Sequence, residues 1–235
     1  MLKLIAHRGA SKVRPENTLE SLCYAAQIGA DVVECDVRPT KDGKYVIFHD
    51  GNLARLAGIP QTAEELTYEE MKAALAKAGR GLLTLDELID GYRERVPVLL
   101  HIKMNEPDEA FAEKIGRAPV DFICGVQSAA ALSTMRRVRP AERILAFMPA
   151  KEQYRAFSEG GAGILRLWQQ WLGEITPEEV RRVHRGEVWI MAWKNDTMDG
   201  DEESLELAER LGADGMLLND IELGLRWRAS HVETR

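Results

Sequence analysis

The sequence predicts an α/β fold, a (β/α)8 TIM barrel that forms a single domain over residues 1–235. Short apolar, strand-like segments alternate with amphipathic, helix-like segments along the whole chain, which implies that the strands pair in parallel. Eight such units within 235 residues fit the usual size of this barrel. A doubly wound open sheet is the alternative, although the lack of a G-x-G-x-x-G motif after the first strand argues mildly against a dinucleotide-binding version of it.

The predicted strands are short apolar runs, and one of them is additional to the barrel. This extra strand, at 44–48, follows strand two and makes a small insertion of strand and loop there. The barrel strands are predicted at 2–6, around Glu34 and Asp36, and at 96–103, 122–127, 144–148, 163–167, 188–193 and 214–218.

The predicted helices begin at capping signals. Runs of the form S/T-x-x-E, in which two side chains satisfy free backbone groups, occur at 67–70 and 84–87, and the related run 17–20 opens a helix that reaches Gly29. A threonine followed by proline at 176–177 opens another helix, which is expected to end at Gly186. Further helices are predicted at 108–115, 130–138, 151–159 and 201–211, with a last one from 221.

Composition limits the partners and the compartment. The net charge is -7 with no cluster of basic residues, so a nucleic-acid partner is not expected. Cys23, Cys35 and Cys124 are widely spaced, which predicts reduced core thiols in a cytoplasmic protein. The amino terminus has no secretory signal and no apolar run approaches the roughly 20 residues that span a bilayer, so stable membrane insertion is not expected. The sequence leaves a homo-oligomer open.

Two carboxylates, Glu34 and Asp36, interrupt the apolar strand two. Residues two apart point to the same face of a strand, where two buried acids repel each other and lose their hydration. A bound cation would resolve this conflict, because Asp and Glu oxygens suit Mg²⁺, Ca²⁺ or Mn²⁺. An edge strand with a solvated face is the alternative.

Further polar side chains are predicted at the carboxyl ends of the strands, where such barrels place their catalytic groups. Imidazoles exchange protons near neutral pH, Arg and Lys bind phosphate, and a divalent ion neutralises charge on phosphoryl oxygens. The set therefore predicts metal-assisted cleavage of a phosphate ester. Its members are His7 and Arg8 after strand one, His49 after the extra strand, His101 and Lys103 on strand three, Gln127 on strand four and Trp193 on strand seven.

Several of these residues have structural alternatives. Arg8 and Lys103 could pair with the acids alone, and Trp193 could serve packing. Glu16 could contact a metal, a ligand or only solvent, and Asn17 is interpreted as a helix N-cap. The two remaining histidines, His184 and His231, are expected on the solvated surface.

Short motifs in a fixed order make this sequence similar to those of a known protein family. They are His7-Arg8-Gly9, Pro15-Glu16-Asn17-Thr18, Gly29-Ala30-Asp31, Glu34-x-Asp36-Val37, Thr40-Lys41-Asp42-Gly43 and His49-Asp50, then the sparser Thr84-Leu85-Asp86-Glu87, Ile102-Lys103, Gln127-Ser128 and Gly212-Ala213-Asp214-Gly215. In this order they resemble the glycerophosphodiester phosphodiesterase family, most densely at the amino-terminal end of the chain.

The resemblance implies a metal-dependent hydrolase of lipid and glycerol metabolism. It implies a barrel that binds Mg²⁺ or Ca²⁺ and cleaves a small-molecule glycerophosphodiester to glycerol 3-phosphate and an alcohol. The family mechanism uses the glycerol hydroxyl of the substrate as nucleophile, through a cyclic phosphate. The resemblance assigns His7 and His49 as the acid-base pair, Arg8 and Lys103 as phosphate contacts, and Glu34 and Asp36 as metal ligands. Trp193, from its place at the end of strand seven, is predicted to contact the substrate.

The sequence departs from the family pattern at the third metal ligand. The family has a glutamate in an E-I-K tripeptide, whereas this chain reads His101-Ile102-Lys103. An imidazole at His101 brings no negative charge and suits Mn²⁺ or Zn²⁺ better than a hard ion. Near strand seven, Trp193 stands in a run that differs from the family's W-T-V-N, so its register is open.

Two other functions stay open at this point. One is a phosphodiesterase that acts on another diester, such as a lysophospholipid. The other is a barrel that binds a phosphate ligand without turning it over, which the replacement at His101 suggests. The sequence identifies neither the leaving-group alcohol nor which histidine is the acid.

Overall fold

The computed structural model describes residues 1–232 and confirms the predicted (β/α)8 barrel. The strands are β1 (Lys3–Ala6), β2 (Val32–Pro39), β3 (Tyr45–Ile47), β4 (Leu83–Thr84), β5 (Val98–Ile102), β6 (Phe122–Val126), β7 (Ile144–Ala146), β8 (Ile164–Trp168), β9 (Glu187–Met191) and β10 (Gly215–Leu218). All except β3 and β4 pair in parallel and close into a ring, because β1 pairs with both β10 and β2. A closed ring excludes the doubly wound open sheet.

The helices pack around this ring. They are α1 (Leu19–Gln27), α2 (Ala54–Ala57), α3 (Tyr68–Lys77), α4 (Leu85–Gly91), α5 (Glu109–Arg117), α6 (Ala129–Arg136), α7 (Tyr154–Glu159), α8 (Pro177–Arg181), α9 (Glu202–Arg210) and α10 (Ile221–Val232). Their apolar faces meet the outward-facing strand residues in the largest of three apolar clusters. Within residues 1–232, none of the helices combines the length and the apolarity needed to cross a bilayer.

The insertion after β2 lies outside the ring. β3 runs antiparallel to β2, and β4 antiparallel to β3, which confirms the extra strand that the sequence predicts. The segment between β3 and β4, which contains α2 and α3, packs around a small apolar cluster that includes Phe48, Leu53 and Met71. The two-residue strand β4 was not predicted, because two residues carry no periodic signal.

The inside of the ring changes from apolar to polar along the strands. Side chains two apart share a face, so the interior residues of one strand form a row. Ile5, Val32 and Leu99 belong to the apolar cluster inside the ring. The next positions in these rows are His7, Glu34 and His101, which therefore lie nearer the carboxyl end of the barrel.

Two details of the helices differ from the prediction. Helix α1 begins at Leu19, with Thr18 as the N-cap that accepts from Ser21 N–H, so the assignment of Asn17 as the cap is wrong. Helix α8 ends at Arg181 rather than at Gly186.

His184 lies in the loop after α8 and is only 3% exposed, which contradicts its expected place on the surface. Its Nδ1 lies 3.0 Å from Ser158 Oγ. Burial lowers the pKa of His184 below its usual value, because the charged imidazolium loses hydration. The neutral imidazole is therefore part of the folded structure.

We expect this histidine to make folding sensitive to acid. At pH values between the folded and the unfolded pKa of His184, the unfolded chain binds one proton more than the folded chain. The contribution of His184 to the unfolding free energy is therefore complete above the unfolded pKa near 6.5 and is lost as the pH falls. His184→Gln should reduce the slope of unfolding free energy against pH, below pH 6.5, by up to about 1.4 kcal/mol per pH unit. Urea titrations at several pH values measure this slope, with His231→Gln as the matched control. Equal slopes for His184→Gln and the wild type would contradict the assignment.

Candidate active site

Six predicted site residues meet at the carboxyl ends of β1, β2 and β5. Glu34 and Asp36 are both 0% exposed on a strand inside the ring, which excludes the solvated edge strand considered for them. Asp36 is in register with His101 on the neighbouring β5. The six residues brought together are His7, Arg8, Glu34, Asp36, His101 and Lys103.

The two buried carboxylates have opposite electrostatic environments. Burial, and then the charge of Asp36, raises the pKa of Glu34 well above its usual value. Burial alone would also raise the pKa of Asp36, but the Lys103 ammonium and then His101 outweigh it and hold that pKa well below the usual value. Ionisation is therefore favoured at Asp36 and opposed at Glu34, and a nearby cation would favour the ionised form of Glu34.

The donor atoms of Glu34, Asp36 and His101 form a cluster that fits a metal ion. One possible ligand atom from each residue lies within 4.8 Å of the others. Glu34 Oε1 and His101 Nε2 are buried and have no hydrogen-bond partner among residues 1–232. Buried polar atoms without partners are costly, and a cation would satisfy them. Two carboxylates and one imidazole suit a divalent ion. The imidazole makes the set a closer match to Mn²⁺ or Zn²⁺ than to Mg²⁺ or Ca²⁺, which prefer oxygen ligands.

His101 is held in place from two sides. Its Nδ1 lies 3.2 Å from Asp36 Oδ1, and its ring stacks on Phe147 with the centroids 3.8 Å apart. Gly125 makes room for this stack, since a Cβ there would lie 2.5 Å from the Phe147 ring. Burial and then the charge of Lys103 lower the pKa of His101 to about 3, so the imidazole is neutral and can act as a ligand.

The predicted phosphate-binding cations approach Asp36 from two directions. Lys103 Nζ lies 3.0 Å from Asp36 Oδ1, and Arg8 Nε lies 3.7 Å from Asp36 Oδ2. Arg8 has φ +56°, an unfavourable value for a residue with a Cβ, and its backbone N–H donates to Glu34 Oε2 at 2.8 Å. Strained backbone of this kind clusters at functional sites, and here it places the Arg8 main chain against one acid and its side chain against the other.

The two candidate acid-base histidines face each other across the site. The ring centroids of His7 and His49 are 6.5 Å apart at an interplanar angle of 84°. Asn219, which follows β10, uses its Nδ2 to donate to Asp199, so its Oδ1 accepts from His7 Nδ1 at 2.7 Å. This leaves His7 Nε2 as the proton acceptor. Burial and then Arg8 lower the pKa of His7 to about 3, which keeps the ring neutral.

His49 belongs to a chain of charged groups on the insertion side. Its Nδ1 lies 2.8 Å from Asp50 Oδ1, and Arg55 Nε donates to Asp50 Oδ2 at 2.7 Å. Arg55 also binds Glu16, which in turn lies 3.4 Å from Arg8 Nη1. Glu16, whose role the sequence left open, therefore bridges two arginines and connects the surroundings of His49 to Arg8.

Sequence reasoning missed the role of Asn17. This residue is 6% exposed, has φ +57°, and lies beside Asp36 rather than at the helix end. Its Nδ2 donates to Asp36 Oδ2 at 3.1 Å, and its Oδ1 accepts from Asp36 N–H at 3.2 Å. Its place in the Pro15-Glu16-Asn17-Thr18 motif was a signal for function. Asn219 had a signal too, because it directly follows a barrel strand.

Trp193 stands apart from the charged cluster. It pairs edge-on with Trp168, with ring centroids 5.5 Å apart, and its backbone N–H donates to Gln169 Oε1. Both tryptophans are partly exposed and lie at or beyond the carboxyl ends of their strands. They form one aromatic side of the barrel mouth.

A cavity of about 280 Å³ lies beside His49, between the barrel and the insertion. Its lining includes Glu16 and Asn17 on the barrel side, and Leu56 and Arg80 on the insertion side. The site thus combines two opposed imidazoles, two cations, a metal-ligand cluster and an adjacent partly apolar cavity. Such a set can bind a phosphate group, move protons on both sides of it and accommodate an attached organic group.

Comparison with known proteins agrees with this chemistry. The model of the glycerophosphoryl diester phosphodiesterase family matches residues 7–146. A glycerophosphodiester phosphodiesterase of Bacillus altitudinis is 33% identical over 111 residues, which is 44% of this chain and 45% of that protein. The matches span half or less of the length of the first curated relatives, namely 32%, 50% and 45%.

Solved structures show the same fold over almost the whole chain. The glycerophosphodiester phosphodiesterase of Thermotoga maritima has a TM-score of 0.76 and 23% identity, and the match covers 96% of this chain and 98% of that one. A phosphodiesterase of Oleispira antarctica, solved with its product sn-glycerol-3-phosphate, has a TM-score of 0.69 and 23% identity, with 94% and 95% coverage.

Proposed function

The chain belongs to the glycerophosphoryl diester phosphodiesterase family, and from that membership we propose that it hydrolyses glycerophosphodiesters to glycerol 3-phosphate and an alcohol. The observation that carries the proposal is the pair of opposed histidines, His7 and His49, beside a buried cluster of metal-ligand type. The product seen in the Oleispira antarctica phosphodiesterase supports the same substrate class.

In this proposal the two histidines have different roles. His7 is neutral and presents an unprotonated Nε2, so it takes the proton from the attacking glycerol hydroxyl. Burial lowers the pKa of His49, but its contact with the Asp50 carboxylate opposes this and favours the protonated ring, so we assign His49 to deliver a proton to the leaving alcohol oxygen. Once a cyclic phosphate has formed, the roles reverse and water opens it. No serine or cysteine nucleophile is required.

The remaining residues bind and position the phosphate. Arg8 and Lys103 stabilise the charge that grows on the phosphoryl oxygens, and they act strongly because both are largely withdrawn from water. Glu34, Asp36 and His101 would hold a divalent ion, which when bound supplies further stabilisation of that charge. Trp193 contributes to substrate binding at the mouth, and the cavity beside His49 receives the leaving alcohol.

A metal-reconstitution assay tests this function. Chelated protein would be supplied separately with Mg²⁺, Ca²⁺, Mn²⁺ and Zn²⁺, and release of glycerol 3-phosphate from glycerophosphocholine and related diesters would be measured. We expect release with at least one ion. A lysophospholipid in the same panel tests the alternative substrate class. Absence of release from all diesters with all four ions would contradict the proposal.

The same assay tests His101 as a metal ligand. Because its imidazole is neutral, the wild type is expected to prefer Mn²⁺ or Zn²⁺ over Mg²⁺ or Ca²⁺. His101→Glu adds the missing negative charge and should shift the preference toward Mg²⁺ and Ca²⁺ by about tenfold or more, equivalent to about 1.4 kcal/mol. His101→Gln, which keeps the size without the charge, is the matched control. An unchanged order of ions in His101→Glu would place His101 outside the metal shell.

We also propose that residues 1–235 act as one domain in the cytoplasm. The barrel closes only when β1 pairs with β10, near the two ends of the chain, which supports a single unit. The cysteines are free thiols, and Cys35 and Cys124 are buried in the core, which supports a reducing compartment.

A further inference from the structure

A further buried cation, Arg166, lies inside the barrel and belongs to none of the groups described above. It is 4% exposed and occupies the middle of β8, in the same interior row as Ile164 and Trp168. Its register partner on β9 is Trp189, which is also buried inside the ring. Its interior neighbours Ile164 and Trp189 are apolar, so the arginine is an unusual side chain for this part of the barrel.

The guanidinium of Arg166 is almost without hydrogen-bond partners. Its Nε and Nη1 are buried and find no acceptor among residues 1–232. Among those same residues its one hydrogen bond runs from Nη2 to the Met148 carbonyl, at the long distance of 3.5 Å. No ion pair joins it to a carboxylate in the described part of the chain, and burial alone lowers its pKa to about 9. An isolated buried charge is costly unless a counter-charge compensates it.

Aromatic rings surround the guanidinium but do not replace a counter-ion. The Arg166 Cζ lies 4.5 Å from the ring centroid of Trp168, 5.3 Å from that of Phe147 and 5.4 Å from that of Trp171. Such contacts are attractive, yet they are weaker than the loss of hydration by a buried ion. The rings also leave the Nε–H and Nη1–H donors unused.

This guanidinium adjoins the candidate active site. Phe147, over which it lies, also stacks on His101 with centroids 3.8 Å apart. Trp168, over which it also lies, touches Trp193 at the barrel mouth. The side chain therefore extends from mid-strand toward the carboxyl end, where the ligand is proposed to bind. The positive charge of Arg166 is one of the causes that lower the pKa of His101.

The cations of the site differ in how they are neutralised. Lys103 and Arg8 each lie near Asp36, and Arg8 also lies near Glu16. Arg166 has no such acid, and His101, which stands where the family pattern has a glutamate, brings no negative charge. Among the described residues, Arg166 is therefore the buried cation of this region without a carboxylate partner, and an anionic ligand group would compensate its charge.

We propose that Arg166 binds an oxyanion of the ligand, a phosphoryl or carboxylate group, as a third cationic contact beside Arg8 and Lys103. The proposal deepens the proposed function and rests on it for the identity of the substrate. Arginine fits this role because its planar donors match the oxygens of phosphate and carboxylate, and because its charge persists when buried.

Inorganic phosphate is the first probe. Binding of phosphate to the full-length, chelated protein would be measured by calorimetry for the wild type, Arg166→Met and Arg166→Gln, with the exposed Arg117→Met as control. We expect both Arg166 variants to lose at least about tenfold in phosphate affinity. The control should match the wild type. Failure of the wild type to bind phosphate at millimolar concentration would overturn the proposal.

Thermal unfolding separates this role from a structural one. Without phosphate, Arg166→Met should unfold at the same temperature as the wild type or higher, because an apolar chain replaces an uncompensated charge. Phosphate should raise the unfolding temperature of the wild type more than that of either variant. A lowered unfolding temperature together with undiminished phosphate stabilisation would show that Arg166 only packs the barrel. If Arg166→Met does not fold, Arg166→Gln decides by the same comparison.

Two substrates then distinguish the source of the oxyanion. Glycerophosphocholine offers only its phosphodiester, whereas glycerophosphoserine adds a carboxylate. An equal loss of kcat/KM on both in Arg166→Gln identifies the reacting phosphoryl group, and a loss on the second alone identifies the carboxylate. No loss on either would overturn the proposal. If the wild type hydrolyses neither but binds phosphate through Arg166, the proposed function fails while this inference stands.

Discussion

Replacing His49 by glutamine is expected to lower kcat for glycerophosphodiester hydrolysis by about 10²–10⁴-fold, the usual contribution of a positioned general acid or base. His49 is the better of the two histidines to test, because its side chain is 32% exposed whereas that of His7 is 3% exposed. The substitution should therefore leave folding intact. Steady-state kinetics with released glycerol 3-phosphate as readout measures the change.

Asp50 provides an internal comparison for this prediction. Its carboxylate orients His49 and is kept ionised because contacts with Arg55 and His49 outweigh the effect of burial and lower its pKa. Asp50→Asn should therefore reduce kcat less than His49→Gln and shift the pH at which activity declines. His231→Gln, far from the site, should behave as the wild type. Activity of His49→Gln within tenfold of the wild type would remove His49 from the proton-transfer steps.

Replacing Glu34 by glutamine is expected to abolish useful metal binding. Removal of a partner that only orients a metal ligand costs about 10–100-fold in affinity, and loss of a charged ligand should cost more than this. Titration of chelated protein with Mn²⁺, followed by calorimetry or by recovery of activity, measures the loss. The matched control is Glu113→Gln, a surface acid whose ion pair within residues 1–232 is with Arg117.

The same variant should not weaken the fold. Burial and the neighbouring Asp36 oppose ionisation of Glu34, so a neutral amide at this position removes no favourable charge interaction in the chelated protein. The amide oxygen can still accept from Arg8 N–H, as the carboxylate does at 2.8 Å. Unfolding of the chelated variant in urea is therefore expected at the wild-type midpoint or above it. A Mn²⁺ affinity within threefold of the wild type would show that Glu34 is not a ligand.

The insertion after β2 gives the site its second side. His49 follows β3 rather than a ring strand, and its partner Arg55 lies on α2 within the insertion. The chain of contacts from Asp50 through Arg55 to Glu16 joins this segment to Arg8 on the ring. The placement of His49 opposite His7 therefore depends on how the insertion packs against the barrel, including the apolar cluster that contains Phe48 and Leu53.

Sequence alone was sufficient for the barrel and for the expectation that several polar side chains meet at one end of it. Alternating strands and helices carry their own signals in hydrophobic period and capping residues, and parallel pairing follows from the alternation. Catalytic groups lie at the carboxyl ends of barrel strands, so His7, Glu34, Asp36 and Lys103 could be collected from local pattern alone. The family motifs agree with that collection, and the family match over residues 7–146 confirms the resemblance.

Only the tertiary structure decided how these residues act on one another. The opposite pKa shifts of Glu34 and Asp36 depend on which cations reach each carboxylate, and the tautomer of His7 depends on Asn219, 212 residues away in the chain. In the sequence, Asn17 had the pattern of a helix N-cap, and Arg166 was a single charged residue within an apolar run. Their roles come from burial beside distant partners, because desolvation and short-range electrostatics depend on three-dimensional neighbours that no local sequence pattern specifies.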